Sequence, residues 1–511
     1  MRRLTAALLA VLLLLAGCAN GSETPPTTPS ASRDSSSAAG QEEPPREETA
    51  IPFTLAAYPA YSFHPVLAAN RANLTLAPLL YEGLFLVDEG FQAVPVLCRS
   101  YSSSEDKLVW TFILRAGITF SDGTPLTAVE AAAALELARS PRGRYAQRLN
   151  DVVSITGEGQ ALTVTLRRPN GSLPLLLDIP IALGEGDRPA GTGPYVLSGE
   201  EELVLAARTG WWQEEKQLPL ERIPLHPVSK SEELIYAFDA GDVSLVDVDL
   251  MATSAMGYGG NYQTWDYSTT GMIYLGFNLQ RGPCRSREVR TALARGVDRE
   301  AVARESYANH AIPSALPVHP RSSLYQEEAA GRLDYAPEEL AGQLEGLRLG
   351  GQTLRLVVNT ENIAKAAAAR LIAYQLEAAG LKVELQQLPF EDYSAALSRG
   401  EFDLYLAEVV LTAGFDLDPL LGSGGGMNYG GWWDGETDAL LSALRAAPEE
   451  GRALAAEALF ARLEEQLPIL PICFKNGSVL TQWGRLSGLS PVRGNVFYKL
   501  EEWTVNQRDG Q

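Results

Sequence analysis

The chain has 511 residues, 46% of them hydrophobic and 21% charged, which is ample for two or three domains with cores of their own. A formal net charge of −21 argues against a nucleic-acid partner and for a soluble, monomeric surface. Four cysteines (18, 98, 284, 473) and four isolated histidines (64, 226, 310, 319) show no CxxC or Cys/His spacing, so no dedicated zinc site is expected.

Arg2 and Arg3 precede an apolar stretch, Leu4 to Leu15, that is too short for a comfortable bilayer span. Leu15-Ala16-Gly17-Cys18 then matches the bacterial lipobox, which predicts cleavage before Cys18 and its lipidation. Two acyl chains suffice for stable anchoring where one is reversible. Residues 19–50 are Ser, Thr, Pro, Glu and Ala with few large apolar side chains, the composition of a disordered tether. The expectation is a protein anchored at the outer face of the cytoplasmic membrane without spanning it.

A folded body starts near Ile51, with a strand over 51–57. In LVWTFIL, from Leu108 to Leu114, Trp110, Phe112 and Leu114 alternate with Val109, Thr111 and Ile113, the period of a strand. Ser121-Asp122-Gly123 reads as a turn, and Thr127 with Glu130 as a capping box opening an Ala-rich helix. Residues 151–168 alternate around Gly157-Glu158-Gly159 and predict a hairpin. Gly191-Thr192-Gly193-Pro194-Tyr195 combines glycines that permit close backbone approach with a proline that fixes φ before a strand. It is no phosphate loop, since neither GxGxxG nor GxxxxGK[ST] is present. A helix is predicted over 231–239 and a strand over 273–278.

From 351 the pattern is βαβαβ. TLRLVV (353–358) is a strand, Ile363 to Tyr374 mark a helix ended by Gly380, 382–388 is a strand, 391–399 a helix, and 402–406 a strand. Such alternation predicts a mostly parallel, doubly wound sheet. A helix over 449–465 is expected to start at Pro448, and a strand to occupy 469–474.

The stretch 108–139 resembles the "TFxLRxGxxFxDGxPxTAxDV" signature of the extracellular solute-binding proteins of peptide/nickel-type ABC importers, with Glu130 where Asp is usual. Leu76–Asp88 is similar to that family's "LYEGLxxxD", Gly191–Tyr195 to "GTGPY", Ile273–Asn278 to "YLxFN", and Arg287–Arg299 to "DxRVRxALxxAIDR". Departures are His64 for an Asp and Cys98 for an Ala. The resemblance implies an α/β fold of the periplasmic-binding-protein-like class II type, two lobes around a cleft plus an accessory α+β domain. The first lobe would comprise 51–90, 184–270 and 480–511, the accessory domain 91–183, and the second lobe 271–479.

No G-x-S-x-G elbow, HExxH or kinase set occurs, and acid pairs such as Asp416/Asp418 arise by chance among 63 acidic residues. The expectation is therefore a binding protein, not an enzyme, with no cofactor. Partners would be a peptide or other small solute, an ABC permease with its ATPase subunits, and the membrane through the anchor. The resemblance implies a cleft lined by Tyr61, Asn70, Arg71 and Asn73, by Tyr267 and Asn278, and by Phe415, Asp416, Trp432 and Trp433. Peptide-binding members often carry an Asp that pairs with the ligand's ammonium group. Here alignment on Asp418-Pro419 puts Phe415 at that place, with Asp416 one residue away, which leaves free-peptide specificity open. An oligosaccharide, a nickel chelate or a peptide signal read by a sensor are the alternatives.

Overall fold

The computed structural model describes residues 52–252 and 257–506. The expected signal segment with Cys18, the tether over 19–50 and Ile51 lie outside the described residues. Three sheets organise the body, two of four strands and one of seven.

The accessory domain carries the stretch on which the family resemblance was sharpest. Strands Cys98–Ser103, Val109–Leu114, Ala161–Leu166 and Val152–Glu158 lie side by side, all antiparallel. Trp110, Phe112 and Leu114 are buried as the alternation predicts, while Val109 is exposed. They pack with Leu162 and Val164 beneath the helix Ala128–Arg139, whose Ala131, Leu135 and Ala138 face the sheet. Each large side chain buried this way stabilises the domain by roughly 1.5–3 kcal/mol. The capping box is formed, with Thr127 accepting from the Val129 amide and Glu130 accepting from the Thr127 amide at 2.9 Å. Gly157 lets this helix start against the sheet, because a Cβ there would lie 2.0 Å from the Ala128 carbonyl oxygen.

The first lobe has the strand order Leu55–Ala57, Arg222–Pro227, Val204–Ala207, Tyr195–Ser198, with the first pair parallel. Gly191 is required for its packing: a Cβ would sit 2.0 Å from the Leu80 carbonyl oxygen. The carboxyl-terminal segment returns here, burying Phe497 and Trp503 beside Leu55 and Ile223.

The second lobe is built on the seven-stranded sheet. Strands Lys382–Leu388, Thr353–Asn359 and Leu404–Val410 are parallel neighbours, as the βαβαβ pattern predicts. Beyond them the sheet turns antiparallel through Tyr262–Phe277, Ile469–Gln482 and Leu245–Val248, so it is mixed rather than doubly wound throughout. Both faces are covered. Leu354, Leu356, Leu404 and Leu406 enter one core, while Val357, Tyr405, Ala407 and Val409 enter the other. Burial on both sides explains why these strands read as continuous apolar runs. Pro448 caps a short 3-10 turn, Glu449–Gly451, and the helix starts only at Arg452.

Two strands are longer than the sequence pattern indicates. Tyr262–Phe277 and Ile469–Gln482 cross from one lobe to the other. Trp265 and Tyr267 of the first and Val479 and Leu480 of the second pack with the first lobe, whereas Ile273, Leu275, Leu470 and Ile472 lie in the second lobe. Between the two halves the register breaks, from Ser268 opposite Asn476 to Met272 opposite Phe474. Thr269 Oγ1 donates to the Lys475 carbonyl there at 2.6 Å. Lys475 Nζ lies 2.8 Å from Asp249, which follows the strand Leu245–Val248 paired with the first-lobe end of Ile469–Gln482, and 2.8 Å from Glu408 on the second lobe.

Candidate functional site

A cavity of about 430 Å³ opens between the accessory domain and the second lobe. One wall is residues 144–152 with 166–176; the other is 409–420, at the carboxyl end of strand Leu404–Val410, with Leu441, Leu444 and Arg445. Arg493 from the carboxyl-terminal segment completes it. Carboxyl ends of parallel strands are where open α/β sheets hold ligands, and this volume suits a small one.

Charged groups tie the two walls together. Arg168 holds Asp151 on its own wall at 2.6 Å and Asp418 on the other at 3.0 Å. Arg445 also pairs with Asp418, and its carbonyl accepts from the Gly171 amide at 2.7 Å. Arg148 and Arg493 share Asp178, the latter at 3.1 Å. Burial raises the Asp416 carboxyl above the usual carboxylate range, opposed by Arg445 and Arg168. Its Oδ1 accepts from the Asp418 amide at 3.0 Å.

An aromatic contact lies beside the cavity. Phe91, on the hairpin joining Phe85–Val87 to Ala93–Pro95, places its ring 5.0 Å from both Phe415 and His319 of the second lobe. Phe91 and Phe415 both have positive φ, 61° and 55°. For non-glycine residues this conformation costs on the order of 1–3 kcal/mol each, sustained here by packing. His319 is fully buried, and burial, then Arg321, pushes it down to about 4.

The residues expected to line the cleft divide among several places. Phe415 and Asp416 line the cavity. Asn70 and Arg71 line a separate hollow of about 240 Å³ in the first lobe. There Arg71 pairs with Asp247 at 3.4 Å, and Tyr267 donates to the same carboxylate at 2.8 Å. Asn70 caps the short helix Arg71–Thr75. Asn73 is 1% exposed, its side chain bonded to the amide and carbonyl of Tyr58. Asn278, 4% exposed, accepts from the Gln280 and Arg281 amides and donates to Phe402. Tyr61 and Trp433 are exposed. Trp432 is half-buried, its backbone held by Asn428. Arg148, Arg168, Arg445 and Arg493 were absent from the expected set; they lie in unrelated stretches, and no local pattern marks them. Cys98, Cys284 and Cys473 are buried, and no disulfide joins them among the described residues.

Two α/β lobes joined by crossing strands beside a charged cavity define a two-lobed binding protein. The chain belongs to the bacterial extracellular solute-binding proteins, family 5, whose middle-region model matches residues 92–428. Among curated proteins it is similar to the glutathione-binding protein GsiB of Salmonella typhimurium, 25% identical over 301 residues, 52% of this chain and 58% of that one. GsiB of Shigella flexneri serotype 5b is 26% identical over 293 residues, 53% of this chain and 57% of that one. The chain thus spans little more than half the length of these relatives. Among solved structures, the unliganded open form of MppA, a periplasmic murein tripeptide binding protein, superposes with TM-score 0.74 at 21% identity, covering 87% of this chain and 95% of that one. HbpA2 from Haemophilus parasuis gives 0.74 at 18%, covering 89% and 99%. NikZ from Campylobacter jejuni, in complex with Ni(L-His), gives 0.62 at 16%, again covering 89% and 99%. These likenesses establish the fold.

Proposed function

We propose that this protein is the solute-binding component of an ABC importer, capturing a peptide or peptide-like solute between its lobes and delivering it to the permease. The observation that carries the reading is the pair of crossing strands with their register break at 268–272, beside a cavity walled from both sides. A break in a two-strand ladder concentrates bending there, and a solute touching both walls favours the closed arrangement over the open one. Energy for transport would come from the importer's ATPases, so this chain needs no nucleotide. The GsiB and MppA likenesses, named for glutathione and a murein tripeptide, support a small peptide-like cargo over an oligosaccharide. The protein would act as a monomer on the outer face of the cytoplasmic membrane, tethered through lipidated Cys18.

Native mass spectrometry of the full chain, purified with detergent from producing cells, tests both parts. A co-purified peptide-like solute, released on denaturation, is expected. A protein that carries no solute, and whose thermal stability no member of a mixed peptide library raises, would sink the peptide reading. The same spectra report the anchor: Cys18 should be the lipidated first residue, and an unmodified internal Cys18 contradicts it.

A further inference from the structure

We propose that the solute held in this cavity is an anion bearing at least two acidic groups, carboxylate or phosphate, gripped by guanidinium groups of both walls. The inference deepens the reading of the cavity as the solute site and rests on it. Six arginines line the cavity, at 144, 148, 168, 445, 452 and 493, against three aspartates, 151, 416 and 418. Asp178, the partner of Arg148 and Arg493, and Glu449, which faces Arg452, lie just outside the lining, and counting both still leaves six against five. This runs opposite to the chain's total of −21, so it is a property of the cavity and not of the composition.

The distribution of partners points the same way. Arg148 and Arg493 divide one carboxylate, whereas Arg168 and Arg445 share Asp418 and Arg168 also holds Asp151. Among the described residues, Arg452 donates only to the Gly414 carbonyl, at 3.1 Å, and has Glu449 as its opposite charge, while the exposed Arg144 rests its guanidinium over the Tyr145 ring. The buried Nε groups of Arg445, Arg452 and Arg493 have no hydrogen-bond partner among the described residues. A buried donor left unpaired is costly, and a buried cation more so, until an acceptor arrives. Burial, then the like charge of Arg493, lowers Arg148 to about 9, and burial also lowers Arg445, Arg452 and Arg493. Guanidinium groups stay charged in proteins, so this burial is a cost that a ligand anion relieves. Guanidinium forks match carboxylate and phosphate oxygens two at a time, and two such groups would meet the unpartnered Nε donors without displacing the bridging aspartates. An ammonium group directed at Asp416 would instead enter among arginines.

The test is calorimetric titration of the full chain with three tripeptides, Glu-Ala-Glu, Ala-Ala-Ala and Lys-Ala-Lys. Glu-Ala-Glu should bind at least about tenfold tighter than Ala-Ala-Ala, with the advantage shrinking as salt is raised, and Lys-Ala-Lys weakest. Equal or tighter binding of Ala-Ala-Ala or Lys-Ala-Lys overturns the inference while leaving the solute-cavity reading standing. Arg493→Gln should reduce Glu-Ala-Glu affinity about tenfold. Arg144→Ser, at an exposed position that folding tolerates, should reduce it about threefold, with a smaller loss for Ala-Ala-Ala, which carries a single carboxylate. An equal loss for both peptides contradicts selective recognition of acid groups. Should none of the three bind, the co-purified solute decides: two or more acidic groups support the inference, and fewer overturn it. No tripeptide binding and no co-purified solute overturns both readings together.

Discussion

His319 shows what a single buried side chain does to this protein. Its ring is fully buried between Phe91 and Phe474, and its Nδ1 accepts from the Arg321 amide at 3.0 Å. Burial holds it near 4, against about 6.5 in the unfolded chain. Between those values the unfolded state binds the proton and the folded state does not. The stabilising contribution is therefore complete above about pH 6.5 and is lost as pH falls through about 4, a total on the order of 3 kcal/mol. Replacing His319 by Leu should flatten the fall in melting temperature across that interval, whatever the variant's absolute stability. An unchanged slope would show that His319 is not the group responsible. The cavity arginines act at the same scale but were not legible beforehand. Arg168 and Asp418 are 250 positions apart and meet only because the chain folds back, so no spacing rule could pair them. Asp416 was found from its neighbours Asp418 and Pro419, yet its surroundings of Arg168 and Arg445 exist only in three dimensions.

Elements with a strong local signal were the legible ones. The hairpin near 151–168, the capped helix after Thr127 and the helix over Ser231–Asp239 all depend on residues close in sequence. The crossing strands were half missed because their first-lobe halves are mixed polar and apolar. Tyr262–Tyr267 is only partly buried, and its pairing partner lies some two hundred residues later. Long-range pairing, not local preference, makes that segment a strand. At the crossing, Lys475 is 9% exposed at its side chain and joins Asp249 to Glu408. Lys475→Met would leave two carboxylates facing each other, and should lower stability by roughly 2–3 kcal/mol, below the range for fully buried pairs because both acids keep some contact with water. Adding Asp249→Asn and Glu408→Gln should recover part of that loss. A single variant as stable as the parent in denaturant titration would mean that this cluster does not join the lobes.

For the whole molecule, the fold class was readable because several family-like motifs occur in order along the chain, each with its own structural reason. Glycines where backbones meet and a helix cap on a sheet identify an architecture; in the proposed reading the cargo would be selected by side chains that converge from the accessory domain, the second lobe and the carboxyl-terminal segment. The two walls touch through Arg168, Asp418 and the Gly171 amide. In the proposed mechanism a bend at the crossing strands, with no refolding of either lobe, would exchange these contacts with water when the lobes part and re-form them over a bound solute. The most direct test is small-angle X-ray scattering of the solute-free protein before and after addition of the solute identified by mass spectrometry. The account predicts a smaller radius of gyration on binding, with the lobes unchanged as rigid bodies. Saturating the protein with that solute and finding the radius unchanged would contradict capture by closure.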